Sequence, residues 1–141
     1  MSIQIRSEIQ ALKDIIISTR RDIHQHPELA FDEHRTSKLV AERLKSMGID
    51  VQIGIGKTGV VGTLQSKGNG KTIALRADMD ALPMQETSDV SYKSKNDGIM
   101  HACGHDGHTA MLLGTAEALS KKAEKLNGTV KFFFQPAEEG Q

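Results

Sequence analysis

The sequence predicts an α/β fold in which a largely parallel mixed sheet is flanked by helices. Two segments with helical spacing fill the first 47 residues, and short β-branched runs separated by glycines follow. A further helical pattern then precedes the strongly apolar run TVKFFFQ, residues 129–135. Because a strand–helix–strand order favours parallel pairing, most strands are expected to run in the same direction. The length of 141 residues suits a single compact domain.

The helices are predicted from the spacing of their apolar residues. The opening segment should end near His26–Pro27, because proline disfavours helical geometry in the residue before it. Residues 33–47 form the second helix, which Gly48 can close in a left-handed conformation. The third pattern covers 109–122.

Four short runs are predicted as strands: VQIGI, VVGTL, TIALRA and TVKFFFQ. The glycines at 54, 56 and 59 match the spacing GxGxxG of dinucleotide-binding loops. Such a loop must be followed by a helix, whereas the strand-like VVGTL follows here. The glycines are therefore interpreted as a hairpin turn, and residues 84–99 as a loop.

Composition excludes several classes of function. The chain has 18 basic and 18 acidic residues, so its formal charge is zero, and no basic run suits a nucleic-acid backbone. Neither a signal peptide nor an apolar stretch of membrane-spanning length is recognisable, so a cytoplasmic protein without a membrane partner is expected. The single cysteine cannot build a disulfide framework and is buried packing, a reactive thiol or a metal ligand.

Residues capable of chemistry occur at three places: RADMDALP at 76–83, HACGHDGH at 101–108, and Glu138–Glu139. Two of these follow strands directly, and ligands in open α/β sheets bind beyond the carboxyl ends of the strands. Cys103 and His105 are two residues apart and can face the same side, where thiolate and imidazole suit zinc. The helix that follows is expected to lower the pKa of the Cys103 thiol.

Simpler interpretations stay open at this point. A lone cysteine is often a small buried hydrophobe, and paired glutamates in a loop are usually solvated. Helix-end or packing roles are the expectation for His24 and His26, and Asp106 suits a helix cap. The remaining histidines of the cluster, His101 and His108, can contact the site directly or only indirectly.

Four segments carry a family resemblance: RRDIHQHPEL, RADMDALPMQE, MHACGHDGHTAMLLG and FQPAEEG. In this order they resemble the M20 metallopeptidase family. The closest similarity is to its amidohydrolase branch of hippurate, N-acyl-amino-acid and indole-acetyl-amino-acid hydrolases and N-acetyldiaminopimelate deacetylases. The resemblance extends from about Ile15 to Gly140. It implies the N-terminal portion of a zinc-peptidase-like catalytic domain.

The resemblance also implies a site. Cys103 corresponds to a ligand that bridges two metals, His105 to a ligand of one metal, and Glu139 to a further ligand. Glu138 corresponds to the general base acting on a metal-activated water, and Asp80 to an aspartate that orients a ligand. The family uses two divalent ions, Mn, Zn, Ni or Co, of which one or none is expected here. Its substrates are N-acyl amino acids or related small peptide amides.

The sequence also departs from the family. Members run to several hundred residues and supply two further histidine ligands and a dimerisation domain that makes them homodimers. Residues 1–141 are therefore expected to be a partial catalytic domain, inactive alone, with TVKFFFQ at an exposed sheet edge. At the position of Asp78 other branches have a metal-binding histidine, and we assign Asp78 no metal.

Two rival interpretations belong to other classes. One is a non-catalytic fragment that binds a single metal or a partner protein. The other is a hydrolase whose nucleophile is Cys103, with His105 or His101 as its base; it fits the lone cysteine but leaves the glutamate pair unexplained.

Overall fold

The computed structural model describes residues 5–140. Helices and strands alternate in the second half, as predicted, after two helical segments and a hairpin. The elements are α1 (Ser7–Gln10), α2 (Lys13–Gln25), α3 (His34–Ser46), β1 (Asp50–Ile55), β2 (Gly59–Gln65), β3 (Thr72–Asp78), α4 (His105–Ser120), a 3-10 turn (Ala123–Lys125) and β4 (Thr129–Gln135).

The four strands form one mixed sheet in the order β1-β2-β4-β3. Strand β2 is antiparallel to both β1 and β4, and β3 is parallel to β4. The mixed α/β class is confirmed, but the parallel share is smaller than predicted. A hairpin joins β1 to β2 and enforces antiparallel pairing, while the crossover through α4 makes β3 and β4 parallel.

The prediction that TVKFFFQ lies at an exposed edge is wrong. Strand β4 pairs with β2 on one side and β3 on the other, so it is an interior strand. Its alternate residues Phe132 and Phe134 are buried against the helices, whereas Phe133 faces away and is 38% exposed. Backbone pairing on both sides makes β4 interior, and the core packed on one face of the sheet covers Phe132 and Phe134.

The core lies between the sheet and the helices α3 and α4. Its fully buried members include Val40, Leu44, Val60 and Leu113. Helix α2 packs against α4, and a Cβ added at Gly114 would lie 2.6 Å from the Ile16 side chain. This close approach brings α2 alongside the start of α4, where the candidate site lies.

Two helix boundaries differ from their predictions. The opening helix is divided into α1 and α2 around residues 11–12, and residues 1–4 lie outside the described residues. Helix α4 begins at His105 and not near Thr109, because polar residues in its first turn hide the apolar periodicity. The glycine-rich segment forms the β1–β2 turn as predicted, with positive φ at Gly54 and Gly56.

Within residues 5–140, no helix combines the length and apolar character needed to cross a membrane.

Candidate metal centre

The three chemistry-bearing segments meet beyond the carboxyl ends of β3 and β4. Asp78 ends β3, the Glu138–Glu139 turn follows β4, and His105 opens α4. One donor atom from each of Cys103, His105 and Glu139 lies within 4.8 Å of the other two. The three residues predicted as ligands therefore converge on one point.

His105 is oriented by Asp80. Its ring is 2% exposed, and Nδ1 lies 2.9 Å from the Asp80 carbonyl oxygen and 3.2 Å from Asp80 Oδ1. Because a carbonyl oxygen can only accept, Nδ1 carries the proton and donates it to Asp80. The lone pair is therefore on Nε2, the atom that faces the site.

Nε2 of His105 is surrounded by carboxylates. Asp78 Oδ2 lies 3.4 Å away, Glu138 Oε2 3.8 Å and Glu139 Oε1 4.0 Å. Acceptors gathered around a nitrogen lone pair repel one another unless a cation lies between them. The donor set of imidazole, carboxylate and sulfur suits a divalent transition metal such as zinc.

A second group of donors, Asp78, His105 and His108, also lies within 4.8 Å of one another. Asp78 Oδ2 is 3.4 Å from both His105 Nε2 and His108 Nδ1. Both groups use His105, whose one free ring nitrogen binds one cation at a time. Sequence reasoning assigned neither Asp78 nor His108, although His108 lies three residues after His105 and so shares its helix face.

The Glu138–Glu139 turn is held through its backbone. The Glu139 N–H donates to Asp80 Oδ2 at 2.7 Å, and the Ala137 N–H donates to Glu33 Oε1 at 2.8 Å. The Glu138 side chain is 39% exposed and that of Glu139 is 27% exposed. Both carboxylates are therefore partly open to solvent.

The pKa of the Cys103 thiol is shifted in the direction opposite to the one that its position before a helix predicts. The Glu139 carboxylate favours the protonated thiol as a hydrogen-bond donor and raises the pKa of Cys103; loss of hydration and the carboxylates of Glu138 and Asp78 act likewise. The expected lowering is wrong because these charges outweigh the helix terminus. A cation bound among them would reverse the effect.

A buried polar layer lies under the first turn of α4. His24 Nδ1 is 2.7 Å from Asp106 Oδ2, and His24 Nε2 is 3.1 Å from Glu86 Oε1. Arg20 Nε lies 2.7 Å from the same Asp106 oxygen. His24 therefore packs in this layer and joins α2 to α4, and Asp106 does more than cap a helix.

Two buried groups in this layer have shifted pKa values. Burial alone would raise the pKa of Glu86, but hydrogen bonds from Ser88, the Ser94 N–H and His24 outweigh it and lower the pKa to about 2. Burial lowers the pKa of His101 to about 4. Both ring nitrogens of His101 lack a hydrogen-bond partner within the described residues, so its neutral form is the one suited to this position.

The fold and the convergent donors define an α/β domain with a candidate metal centre. The model of the peptidase family M20/M25/M40 matches residues 74–141. Thermostable carboxypeptidase 2 of Saccharolobus solfataricus is 53% identical over 96% of this chain and 35% of that protein. The hippurate hydrolase of Campylobacter jejuni is 53% identical over 94% of this chain and 34% of that protein.

A solved structure agrees with these sequence matches. The Bacillus subtilis YXEP protein, described as a dinuclear metal-binding peptidase from the M20 family, superposes with a TM-score of 0.87 at 46% identity. The match covers 92% of this chain and 36% of that one. The chain spans about a third of the length of the relatives it matches, and it corresponds to the N-terminal part of M20 family proteins.

Proposed function

We propose that the protein carrying this chain is a metal-dependent amidohydrolase that cleaves the amide bond of N-acyl amino acids or related small peptide amides. The observation that supports it most is the convergence of Cys103, His105 and Glu139 beside a second glutamate, Glu138. Relatives named as an N-acyl-L-amino acid amidohydrolase and as carboxypeptidases support this substrate class.

Cys103, His105 and Glu139 are the proposed metal ligands. A divalent ion held there, Mn, Zn, Ni or Co, supplies a Lewis acid that lowers the pKa of water and polarises an amide carbonyl. Asp80 is the supporting residue, because it accepts from His105 Nδ1 and from the Glu139 N–H and so orients two ligands.

Glu138 is the proposed general base. Its Oε2 lies 3.8 Å from His105 Nε2, close to the donors yet partly open to solvent, where a water molecule can reach it. In the proposed reaction Glu138 takes a proton from the attacking water and passes it to the amine that leaves. Arg76 Nη2 lies 4.0 Å from Glu138 Oε1 and 2.9 Å from Asp78 Oδ1, so its guanidinium stands beside the carboxylates of the site.

The remaining expectations stay predictions: a partial catalytic domain over residues 1–141, two ions in the whole protein, homodimerisation, a cytoplasmic location, and inactivity of this chain alone. The alternative is a non-catalytic fragment that binds one metal ion or a partner protein. The partner-binding alternative depends partly on the expectation that β4 is an exposed edge strand. In the structure β4 is an interior strand.

The test compares Glu138→Gln with Cys103→Ala in the protein that carries this chain. We expect Glu138→Gln to lower the kcat for N-acetyl-L-methionine and hippurate at least about 100-fold while the bound metal is retained. Cys103→Ala should lose metal, measured by elemental analysis. Metal loss in Glu138→Gln, or full metal content in Cys103→Ala, would contradict the assigned roles.

Chelation separates the remaining candidates. Activity that disappears with a chelator and returns with added Mn²⁺ or Zn²⁺ excludes a cysteine nucleophile, since a thiol needs no metal. Hydrolysis that survives chelation would support that nucleophile. Metal binding without any hydrolysis would favour the non-catalytic fragment.

A further inference from the structure

Glu33 is a buried carboxylate that none of the predicted site roles uses. It is 0% exposed and lies at the N-terminal boundary of α3. One of its oxygens accepts a hydrogen bond from the Thr58 hydroxyl, in the β1–β2 turn. The other accepts from the Ala137 N–H, in the turn that carries Glu138 and Glu139.

The turn that Glu33 contacts has an unfavourable backbone conformation. Ala137 has φ of +51°, a left-handed conformation that costs a residue with a Cβ about 1–2 kcal/mol. The Ala137 N–H is 2.8 Å from Glu33, and the Glu139 N–H is 2.7 Å from Asp80. Buried carboxylates therefore hold the backbone N–H groups on both sides of Glu138.

The 136–140 turn packs closely against two other segments, the loop before α3 and the β1–β2 turn. A Cβ added at Gly140 would lie 2.8 Å from the Ala30 side chain, in the loop before α3. A Cβ added at Gly59 would lie 3.0 Å from Pro136. Glu33 joins these segments through polar contacts, so it is the hydrogen-bonded centre of a three-way junction.

Burying a carboxylate is costly unless its charge is compensated. Hydrogen bonds from the Thr58 hydroxyl and the Ala137 N–H, together with the N-terminal dipole of the 13-residue helix α3, offset this cost. An apolar residue would avoid this cost but could not hold the Ala137 N–H.

We propose that Glu33 is a positioning residue whose carboxylate fixes the 136–140 turn and thereby aims Glu138 and Glu139 at the metal centre. The inference rests on the proposed function for its catalytic consequence. Its structural consequence, the placement of the ligand Glu139, can be measured without turnover.

The test compares three variants by Zn²⁺ titration calorimetry of the metal-free protein that carries this chain. Glu33→Ala should weaken Zn²⁺ affinity by about 10-fold or more, as loss of groups supporting metal ligands typically does. Glu33→Gln should stay within about 3-fold of the parent, because its amide can accept from Ala137 and donate to Thr58.

Glu28→Ala is the matched control. Glu28 accepts from the Arg35 and Thr36 N–H groups at 2.7 and 2.8 Å, at the start of the same helix, without bonding to the 136–140 turn. The variant Glu28→Ala should lower the melting temperature while leaving the Zn²⁺ affinity unchanged. Equal Zn²⁺ affinity in Glu33→Ala and Glu28→Ala would overturn the proposal.

The catalytic arm uses the protein that carries this chain. Glu33→Ala should lower kcat for N-acetyl-L-methionine about 10-fold or more with little change in KM, since a displaced base weakens only the transition state. If the parent hydrolyses nothing, the proposed function fails while the Zn²⁺ comparison still decides on Glu33. If Glu33→Ala does not fold, Glu33→Asp, one methylene shorter, replaces it under the same criteria.

Discussion

The two turns that supply the candidate ligands are held in opposite ways. The Glu138–Glu139 turn is fixed by hydrogen bonds from its backbone to the buried carboxylates of Glu33 and Asp80. The turn at Cys103–Gly104 is exposed at its cysteine and depends on the left-handed backbone of Gly104, with φ of +95°. The turn that carries Glu139 is therefore fixed by two hydrogen bonds, whereas the turn that carries Cys103 depends on the backbone of one glycine.

His105 stands between these two turns and belongs to both arrangements. It follows Gly104 directly, yet its ring is fixed by Asp80, which also holds Glu139. A single aspartate thus connects the histidine and the glutamate, while the thiol has the carboxylates as neighbours.

The largest effect is expected from removing the shared support. Asp80→Ala leaves the Glu139 N–H without its partner and His105 Nδ1 with only the backbone carbonyl oxygen of residue 80, and it should lower the free energy of unfolding by about 2 kcal/mol. Urea denaturation measures this change. The control is Asp89→Ala at an exposed position, which should stay within about 0.5 kcal/mol; similar losses in the two variants would refute the support role.

The polar layer beneath the first turn of α4 can be tested by pH. The pKa of Glu86 is lowered from its ordinary value of 4.5 to about 2, so the unfolded chain binds a proton more readily between these values. The stability that Glu86 contributes is therefore complete above pH 4.5 and is lost as the pH falls through about 2.

Denaturant unfolding at several pH values across this range measures the loss. Glu86→Gln should make the free energy of unfolding less dependent on pH in this range, because Gln carries no titrating proton. The exposed Glu124, paired with Lys67 at the surface, provides the control Glu124→Gln. An unaltered pH dependence in Glu86→Gln would show that other carboxylates govern acid stability.

The smallest effect should come from the cysteine turn itself. A Cβ added at Gly104 would meet no atom within 4 Å, so Gly104→Ala tests backbone conformation alone. Gly104→Ala should lower the free energy of unfolding by about 1–2 kcal/mol. Gly107→Ala, in the open first turn of α4, should raise the free energy of unfolding by about 0.5–1 kcal/mol. Thermal unfolding measures the stability of the two variants. Higher stability in both would show that the turn does not require the left-handed backbone of Gly104.

The sequence predicts which donor residues come together at the candidate site. The family resemblance implies Cys103, His105 and Glu139 as ligands, with Glu139 after a predicted strand and the other two before a predicted helix, and the fold brings their donor atoms within 4.8 Å of one another. Their catalytic and metal-binding roles stay predictions. The turn of Gly54 and Gly56 was also correctly interpreted, because the residues after it are strand-like.

Other features escaped sequence reasoning because their partners are distant along the chain. Glu33 lies 104 residues from Ala137, and His24 lies 82 residues from Asp106. A lone glutamate before a helix has the pattern of an ordinary surface residue, so nothing local marks it as buried. The interior position of β4 also escaped, since strand order depends on which edges the helices cover.

Local sequence is enough to predict the element types, the mixed α/β class and the identity of the thiol, imidazole and carboxylates available for chemistry. These depend on local spacing and on the side chains themselves. Folding in three dimensions fixes which nitrogen of His105 faces the site, which buried carboxylates hold the Glu138–Glu139 turn, and why the pKa of the Cys103 thiol is raised. Those properties arise from groups brought together by folding, and an electrostatic or hydrogen-bond energy depends on distances that the order of residues does not specify.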